Sequence, residues 1–518
     1  MSARTWSDVR RLALPIAAAL ASMVVLQWTA PAYLFRQGFP LDDAWIHAVY
    51  AREFARSGML AYNPGVPATG ETSPLWAMVL ALPHWWAGQS SVVGATKLVG
   101  WSLHAASGVL IALAVRNACV DGLWLGPIAG TLVALHPDLV AASASGMEVP
   151  LATAIVAGIA LAGVRATTVA MFVLSAAAFA GRPETAGFAI LFPAVYWSGA
   201  DARRGMKLSA AAAAGVTASA IFIALRNLLV SGRPMPATFY VKASGAGWLD
   251  LRWQYVGFTG LLGSLPLAGA AATLAATALV IVLLRQRERT ACNRLAVALY
   301  LCGLMFFAVS FALVHPVDPT AFYHQRYALP ALAAVVGSLP LLVHEGARAV
   351  RAVRAGLITG LAACLMAMML IQAAPARYRR LANDARNIDD VQVAFGQALA
   401  AASPREAAWV VDAGASRYFG RAFVIDLMAL NTFQLLSPDA QVYLDQHPPR
   451  YLDVFGHWSA VTFDSERDGA ARAFTASTPY TVTNDESMRT HTLVSCVPGA
   501  RGHILIQQRP FVFRCAGG

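Results

Sequence analysis

Long apolar runs separated by short polar breaks dominate the chain. The first extends from Leu12 to about Phe35. Others lie near 73–88, 94–115, 123–141, 149–164, 167–180, 186–200, 208–230, 255–284, 295–314, 327–344 and 355–374. Apolar runs of about 18 or more residues predict helices that cross a bilayer. The first is too long for the apolar region of a cleaved signal, which is about 7–15 residues, and Arg4, Arg10 and Arg11 precede it. It predicts an uncleaved span with the N-terminus inside.

Charge between the runs sets their direction, because inner loops collect Arg and Lys. The cationic breaks are Arg116, Arg165, Arg203-Arg204-Lys207, Arg285-Arg287-Arg289-Arg294 and Arg348-Arg351-Arg354. They alternate with breaks that hold little clustered positive charge: Ser145-Gly146-Met147-Glu148, Gly181-Arg182-Pro183-Glu184, the 231–252 loop and 315–326. The alternation keeps every cationic break inside only if run 73–88 does not span. That run contains Pro83 and His84 and ends in Trp85-Trp86, and tandem Trp favours the headgroup layer. It predicts a juxtamembrane helix, and about 11 spans remain.

The stretch from Leu41 to Trp76 predicts an amphipathic helix over 44–57, a turn at Asn63-Pro64-Gly65, and a second helix starting near Ser73-Pro74, where Pro is tolerated. Residues 376–518 are less apolar and read as α/β. A helix is expected over about 384–402. One strand, Trp409-Val410-Val411, ends at Asp412-Ala413-Gly414, and a second, Phe423-Val424-Ile425, ends at Asp426. Segments 450–463, 479–484 and 502–514 read as β-rich. The expected architecture is a polytopic α-helical membrane domain over 1–375, whose first outer loop, 36–92, carries juxtamembrane helices. An α/β domain over 376–518 follows, on the outer, periplasmic side of an inner membrane.

Composition sharpens this. Of 518 residues, 57% are apolar and 13% charged, about half the roughly 25% charged share of soluble domains. The net charge of +11 resides largely in the Arg clusters between apolar runs, so it points to membrane lipids and not to nucleic acid. Cys119, Cys292, Cys302 and Cys364 lie in or beside apolar runs and read as packing residues. Cys496 and Cys515 lie near the end of the polar tail, where an oxidising compartment would allow a disulfide. No metal-ligand spacing involves His47 or His324, and no cofactor motif is present.

The polar groups with chemical potential all fall on the outer face in this topology: Asp42-Asp43, Glu71, Glu148, Arg182-Pro183-Glu184, Tyr240 and Lys242, and His324 to Tyr327. Ionisable groups at membrane depth are costly and usually functional. A carboxylate, Asp42 or Asp43, can take a proton from an attacking hydroxyl; the plainer reading is a cap on the 44–57 helix. Glu148 can complement a helix N-terminus, and Arg182 with Glu184 can form a structural ion pair. Lys242, His324 and Arg326, beside Tyr240, Tyr323 and Tyr327, can grip a lipid phosphate or snorkel toward headgroups. Asp412 and Asp426 can meet a sugar polyol or cap loops.

The string from Asp42 to Trp76 resembles the first outer loop of the C-type (GT-C) polyprenyl-phosphate-sugar glycosyltransferases. The resemblance is nearest the branch of the mycobacterial terminal arabinofuranosyltransferase. It rests on Asp42-Asp43, Asn63-Pro64-Gly65, Gly70, Thr72 and Leu75-Trp76. Similar pieces follow in family order: SGMEVPL (145–151), GRPE (181–184), PATFYVK (236–242), RYALP (326–330) and Val410 to Asn431. Trp45, His47, Glu71 and Met428-Ala429-Leu430 depart from the family pattern.

The resemblance implies membrane helices with two juxtamembrane helices in the first loop. It also implies an inverting, metal-independent transfer of a sugar, an arabinofuranose-like pentose in this branch, from polyprenyl phosphate to a hydroxyl. Asp42 matches the base, with Asp43 second. Glu148, Arg182, Glu184, Tyr240, Lys242, His324 and Arg326 would serve the donor, and Glu71 and Asp412 the acceptor. The acceptor would be a cell-envelope glycan, a lipid or a pilin-like protein. A protein O-mannosyltransferase of the same superfamily and a lipid-linked sugar flippase are the alternatives. A flippase predicts related half-sequences, and no internal repeat is visible.

Overall fold

The computed structural model describes residues 3–516 apart from 88–90, 121, 244–265, 287–288, 314–325, 352–353, 456–458, 464–473, 482–489, 497 and 507–508. The chain forms two compact units. The first comprises Met1–Leu34, Lys97–Phe222 and Gly245–Arg380; the second comprises Phe35–Thr96, Ile223–Ser244 and Leu381–Gly518.

The apolar runs become helices. In chain order these are α1 (Ala3–Thr29), α2 (Asp42–Ser57), α3 (Pro74–Trp86), α4 (Val92–Ala118), α5 (Leu125–Leu135), α6 (Pro137–Ser143), α7 (Val149–Arg165), α8 (Thr168–Gly181) and α9 (Thr185–Trp197). They continue with α10 (Ala202–Ser231), α11 (Ala237–Ala243), α12 (Pro266–Leu284), α13 (Ala291–Leu313), α14 (Leu329–Ala349) and α15 (Ala355–Ile388). Each of the eleven expected spans coincides with a helix or, for 123–141, with the α5–α6 pair; the start of run 255–284 lies outside the described residues.

Among the described residues, five helices are long and apolar enough to cross a membrane, and the bent α5–α6 pair makes a sixth. Five shorter apolar helices, α7, α8, α9 and the described parts of α1 and α12, have 10–17 residues. The 62° bend between α5 and α6 falls at His136-Pro137. Proline has no N–H to continue the ladder and forces the residue before it out of the helical region.

Within the first unit, α4 and α5 meet at Gly108 and Gly130. A Cβ on Gly130 would strike the Gly108 carbonyl, and Pro15 of α1 packs against the same spot. Small residues let helix backbones approach where water supplies no driving force. Lys97, buried in α4, lays its ammonium 3.9 Å from the Tyr33 ring centroid and donates to the Tyr33 carbonyl. Cys119 and Cys292 are joined by a disulfide, which corrects the reading of both as packing residues. The bridge lies beside Arg116 and the cationic break before α13.

The second unit gathers first-loop residues and the tail. Its five-stranded sheet has the order β4-β3-β5-β8-β7: β3 (Ala407–Val410), β4 (Phe423–Asp426), β5 (Pro449–Phe455), β7 (Phe474–Thr481) and β8 (Thr490–Cys496). β3 pairs in parallel with β4 and β5, and the remaining pairs are antiparallel. A three-stranded antiparallel sheet is built from β6 (Ser459–Phe463), β9 (Arg501–Ile506) and β10 (Arg509–Arg514). The short hairpin β1–β2 (Ala61–Asn63 with Val66–Pro67) turns through Gly65 at φ 74°. Trp409, Ile425, Leu452, Phe513 and the disulfide pair Cys496–Cys515 form the core. Strand β8 was missed in the sequence because THTLVSC carries little bulk. Short helices α16 (Ala394–Ala398), α17 (Gly414–Phe419) and α18 (Ala440–Gln446) complete the unit.

Gly130→Val should force α4 and α5 apart and cost about 1–3 kcal/mol. Gly94→Ala, where nothing lies within 4 Å, should leave the thermal midpoint of the detergent-solubilised protein unmoved. Equal midpoints for both variants would refute the close crossing.

Candidate functional site

Asp42 and Asp43 open α2, but neither caps it; the N-cap is Leu41, which has no side-chain bond. Asp42 instead caps another helix. Its Oδ2 accepts the Gly414 N–H at 2.6 Å and its Oδ1 the Ala415 N–H at 2.8 Å, in the first turn of α17. The partial positive charge of a helix start favours a carboxylate there. Gly414 is required by the approach: a Cβ on it would run into the Asp42 carbonyl oxygen.

Burial raises the Asp42 pKa well above the usual carboxylate range, and the charges of Asp412 and Asp43 push it further, against the two N–H bonds. Asp412, at the end of β3, accepts from Gln392 Nε2 at 2.7 Å. Asp426, at the end of β4, is fully buried and accepts from the Met428 and Asn431 N–H groups and from Asn431 Nδ2 at 2.8–2.9 Å. Burial is the main cause that takes Asp426 up to about 7, and Asp43 adds to it. Four carboxyl groups from α2 and two strand ends therefore sense one another. The bonds of Asp426 hold a turn in which Ala429 takes φ 60°, a left-handed geometry that costs a non-glycine residue roughly 1–2 kcal/mol. This is the Met428-Ala429-Leu430 departure noted in the sequence.

First-loop polar residues hold the tail in place. Asn63 exchanges two hydrogen bonds with the Val424 backbone, at 2.8 and 3.0 Å, as a neighbouring strand would. Tyr62 Oη donates to the Ala413 carbonyl at 2.6 Å, and Tyr50 Oη donates to Asn431 Oδ1 at 3.1 Å. Glu71 is buried against His47, whose Nδ1 lies 2.9 and 3.1 Å from its oxygens, and it accepts the Ser73 N–H at 2.7 Å. These bonds tie α2 to the start of α3 and account for two residues that depart from the family pattern. Arg226 Nη2 donates to the Leu60 and Ala68 carbonyls at 2.8 and 2.7 Å, and no motif signalled that role. Tyr240, on α11, lies 5.0 Å from the Arg233 guanidinium. The Lys242 backbone belongs to α11, and its side chain lies outside the described residues, as does His324 entirely.

The first unit holds a separate polar group built from helix ends. Glu148 immediately precedes α7, Arg182 follows α8, Glu184 precedes α9, and Arg326-Tyr327 precede α14. Arg182 Nη1 donates to Glu148 Oε1 at 2.8 Å, with its Nε 3.6 Å from Glu184. Its guanidinium lies 4.9 Å from the Tyr327 ring centroid. Arg326 is buried; Nη2 donates to Tyr327 Oη at 3.0 Å and Nη1 lies 3.9 Å from Met147 Sδ. Two guanidinium groups thus share one phenol. Loops far apart in sequence come together here. In the other unit Asp42, Asp43 and Asp412 come together, while Glu71 and Tyr240 are held by partners of their own. Tyr62 and Arg226 carry no chemical motif and were missed, and Asn63 was read as part of a turn without its bonds to Val424.

The architecture is a polytopic set of apolar helices with a C-terminal α/β unit. No known protein family matches the sequence, and no curated protein matches it. Solved structures match by fold. ArnT from Cupriavidus metallidurans bound to undecaprenyl phosphate aligns over 95% of this chain and 98% of its own, at TM-score 0.53 and 12% identity. Apo ArnT gives the same coverage and TM-score at 13% identity. The apo oligosaccharyltransferase of Archaeoglobus fulgidus aligns over 86% of this chain and 69% of its own, at TM-score 0.50 and 11% identity.

Glu148→Gln should cost about 3 kcal/mol by leaving the buried Arg182 charge short of its nearest partner. Glu184→Gln, at the longer distance, should cost far less. Thermal unfolding of both variants tests this order, and a reversed order would remove Glu148 as the main counter-ion.

Proposed function

We propose that the protein is an integral-membrane glycosyltransferase that moves a sugar from a polyprenyl-phosphate donor to a hydroxyl of an extracytoplasmic acceptor. The observation that carries this reading is the fold shared over 95% of the chain with an ArnT structure bound to undecaprenyl phosphate. The family pieces from Asp42 to Asn431 support it independently.

In the proposed reaction the acceptor oxygen attacks the anomeric carbon, its proton passes to Asp42, and the bond from that carbon to phosphate oxygen breaks with inversion. The bond broken is already activated, so positioning and charge can supply most of the acceleration. The two N–H bonds from α17 fix the Asp42 carboxylate in one orientation. Its raised pKa makes it a stronger base than a free aspartate. Asp43 is the second choice for this role. Arg182, Arg326, Lys242 and His324 are assigned to the departing phosphate, with Glu148 and Glu184 orienting Arg182 and Tyr240 serving the donor. Asp412 is assigned to the acceptor. Glu71, whose oxygens are engaged by His47 and Ser73, is assigned to bracing α2. The donor sugar is an arabinofuranose-like pentose, and the acceptor is a cell-envelope glycan, lipid or pilin-like protein. The site faces the periplasm of an inner membrane.

Asp42→Asn should abolish transfer from synthetic polyprenyl-phosphate arabinofuranose in detergent while the protein stays folded; wild-type turnover in both this variant and Asp43→Asn would remove the base assignment. The pH profile gives a second test. The base works deprotonated, so kcat/KM should rise with pH through the raised Asp42 pKa. Asp412→Asn removes a repelling charge and should move that limb to lower pH; a limb that stays put or moves up would contradict the assignment.

A further inference from the structure

The second unit contains a cavity that uses none of the residues assigned to transfer. It has a volume of about 220 Å³ and is lined by Arg52, Ala55 and Arg56 of α2, His84 and Trp85 of α3, Tyr418 of α17, and Ala87 and Val92. Its charge is one-sided. Arg52 is buried and donates to Glu53 Oε1 at 3.0 Å and to the Tyr418 carbonyl at 2.6 Å. Arg56 reaches Glu53 only at 3.6 Å and makes no hydrogen bond among the described residues. Arg417, buried behind Tyr418, spends its donors on the Tyr62, Gly420 and Ala422 carbonyls. Among the described residues Glu53 is the one carboxylate that pairs with Arg52 and Arg56, so two guanidinium groups share a single negative charge, and Arg417 lies close enough to feel both.

The neighbours register the excess. Arg417 is brought down to about 10 by burial and then by Arg52. His84 is lowered by burial and by Arg52 and Arg56, against its bond to the Leu80 carbonyl. Uncompensated cations in a concave site are costly unless an anion joins them. The wall is also built for donation: Arg56 is free to reach in, and Tyr418 Oη lies 3.4 Å from His84 Nε2. Beside the cavity Trp85 and Trp86 are 62% and 73% exposed. Indole side chains of this kind settle at the headgroup level of a bilayer.

We infer that this cavity binds a phosphate group, held by Arg52 and Arg56 and admitted beside Trp85. A phospholipid headgroup and free phosphate share that chemistry. The inference concerns binding alone, so it stands or falls apart from the transfer reaction.

The test uses full-length protein in detergent, with native mass spectrometry reading bound ligand. Short-chain phosphatidylglycerol, inorganic phosphate and short-chain diacylglycerol, which lacks phosphate, are titrated separately. Arg56→Gln changes an exposed side chain and should fold normally; Arg52→Lys keeps the charge but loses the planar fork. Each should weaken binding of the anion about tenfold and leave diacylglycerol unchanged. Tighter binding of phosphatidylglycerol than of phosphate assigns the site to a lipid headgroup, and the opposite order assigns it to the free anion. If neither anion loses affinity in Arg56→Gln, the inference is wrong.

Discussion

The carboxylate of Asp42, gripped by the N–H groups of Gly414 and Ala415, is the constraint on which the second unit depends. It joins the start of α2 to a helix 372 positions later. A carboxylate at a helix start is favourable by itself, but this one also sits near Asp43 and Asp412. Attraction from two peptide dipoles and repulsion from two carboxylates act on the same group. The result is a fixed orientation with a proton held more tightly than usual, a state that a loop acid in water does not reach.

The surrounding bonds extend the same logic. Asn63 acts as a one-residue strand beside β4, Tyr62 reaches the end of β3, and Tyr50 reaches the turn after β4. Each first-loop side chain satisfies a tail backbone or side-chain group that would otherwise be buried without a partner. In the other unit, the ends of α7, α8, α9 and α14 are held by the Arg182–Glu148 pair and the shared Tyr327 ring. Both units therefore carry their polar chemistry at helix termini, where backbone groups are unpaired.

The helical framework was legible in the sequence because crossing a bilayer demands a long apolar run, and few other constraints write so plainly. Helix α3 was legible from its apolar run and from the proline at its start. The meeting of Glu148, Arg182, Glu184 and Arg326 was half legible: charge put their loops on one side, but nothing showed that Tyr327 would serve two guanidinium groups. The Asp42 cap was not legible at all, since a helix start and its capping acid can be separated by any length of chain. The natural reading gave the acid to its own helix. Cys119 and Cys292 were misread for the same reason, because apolar surroundings reveal burial and not the neighbour across it.

The α17 cap has an evolutionary consequence. Gly414 can hold no side chain without displacing Asp42, so the hydrogen bonds that the tail gives to that acid come from backbone. Sequence drift in the tail can alter nearly every side chain and still leave the acid in place, provided the small residue and the helix start survive. A domain graft between distant relatives would then succeed or fail on the conformation of a few peptide units, not on how alike the two tails look.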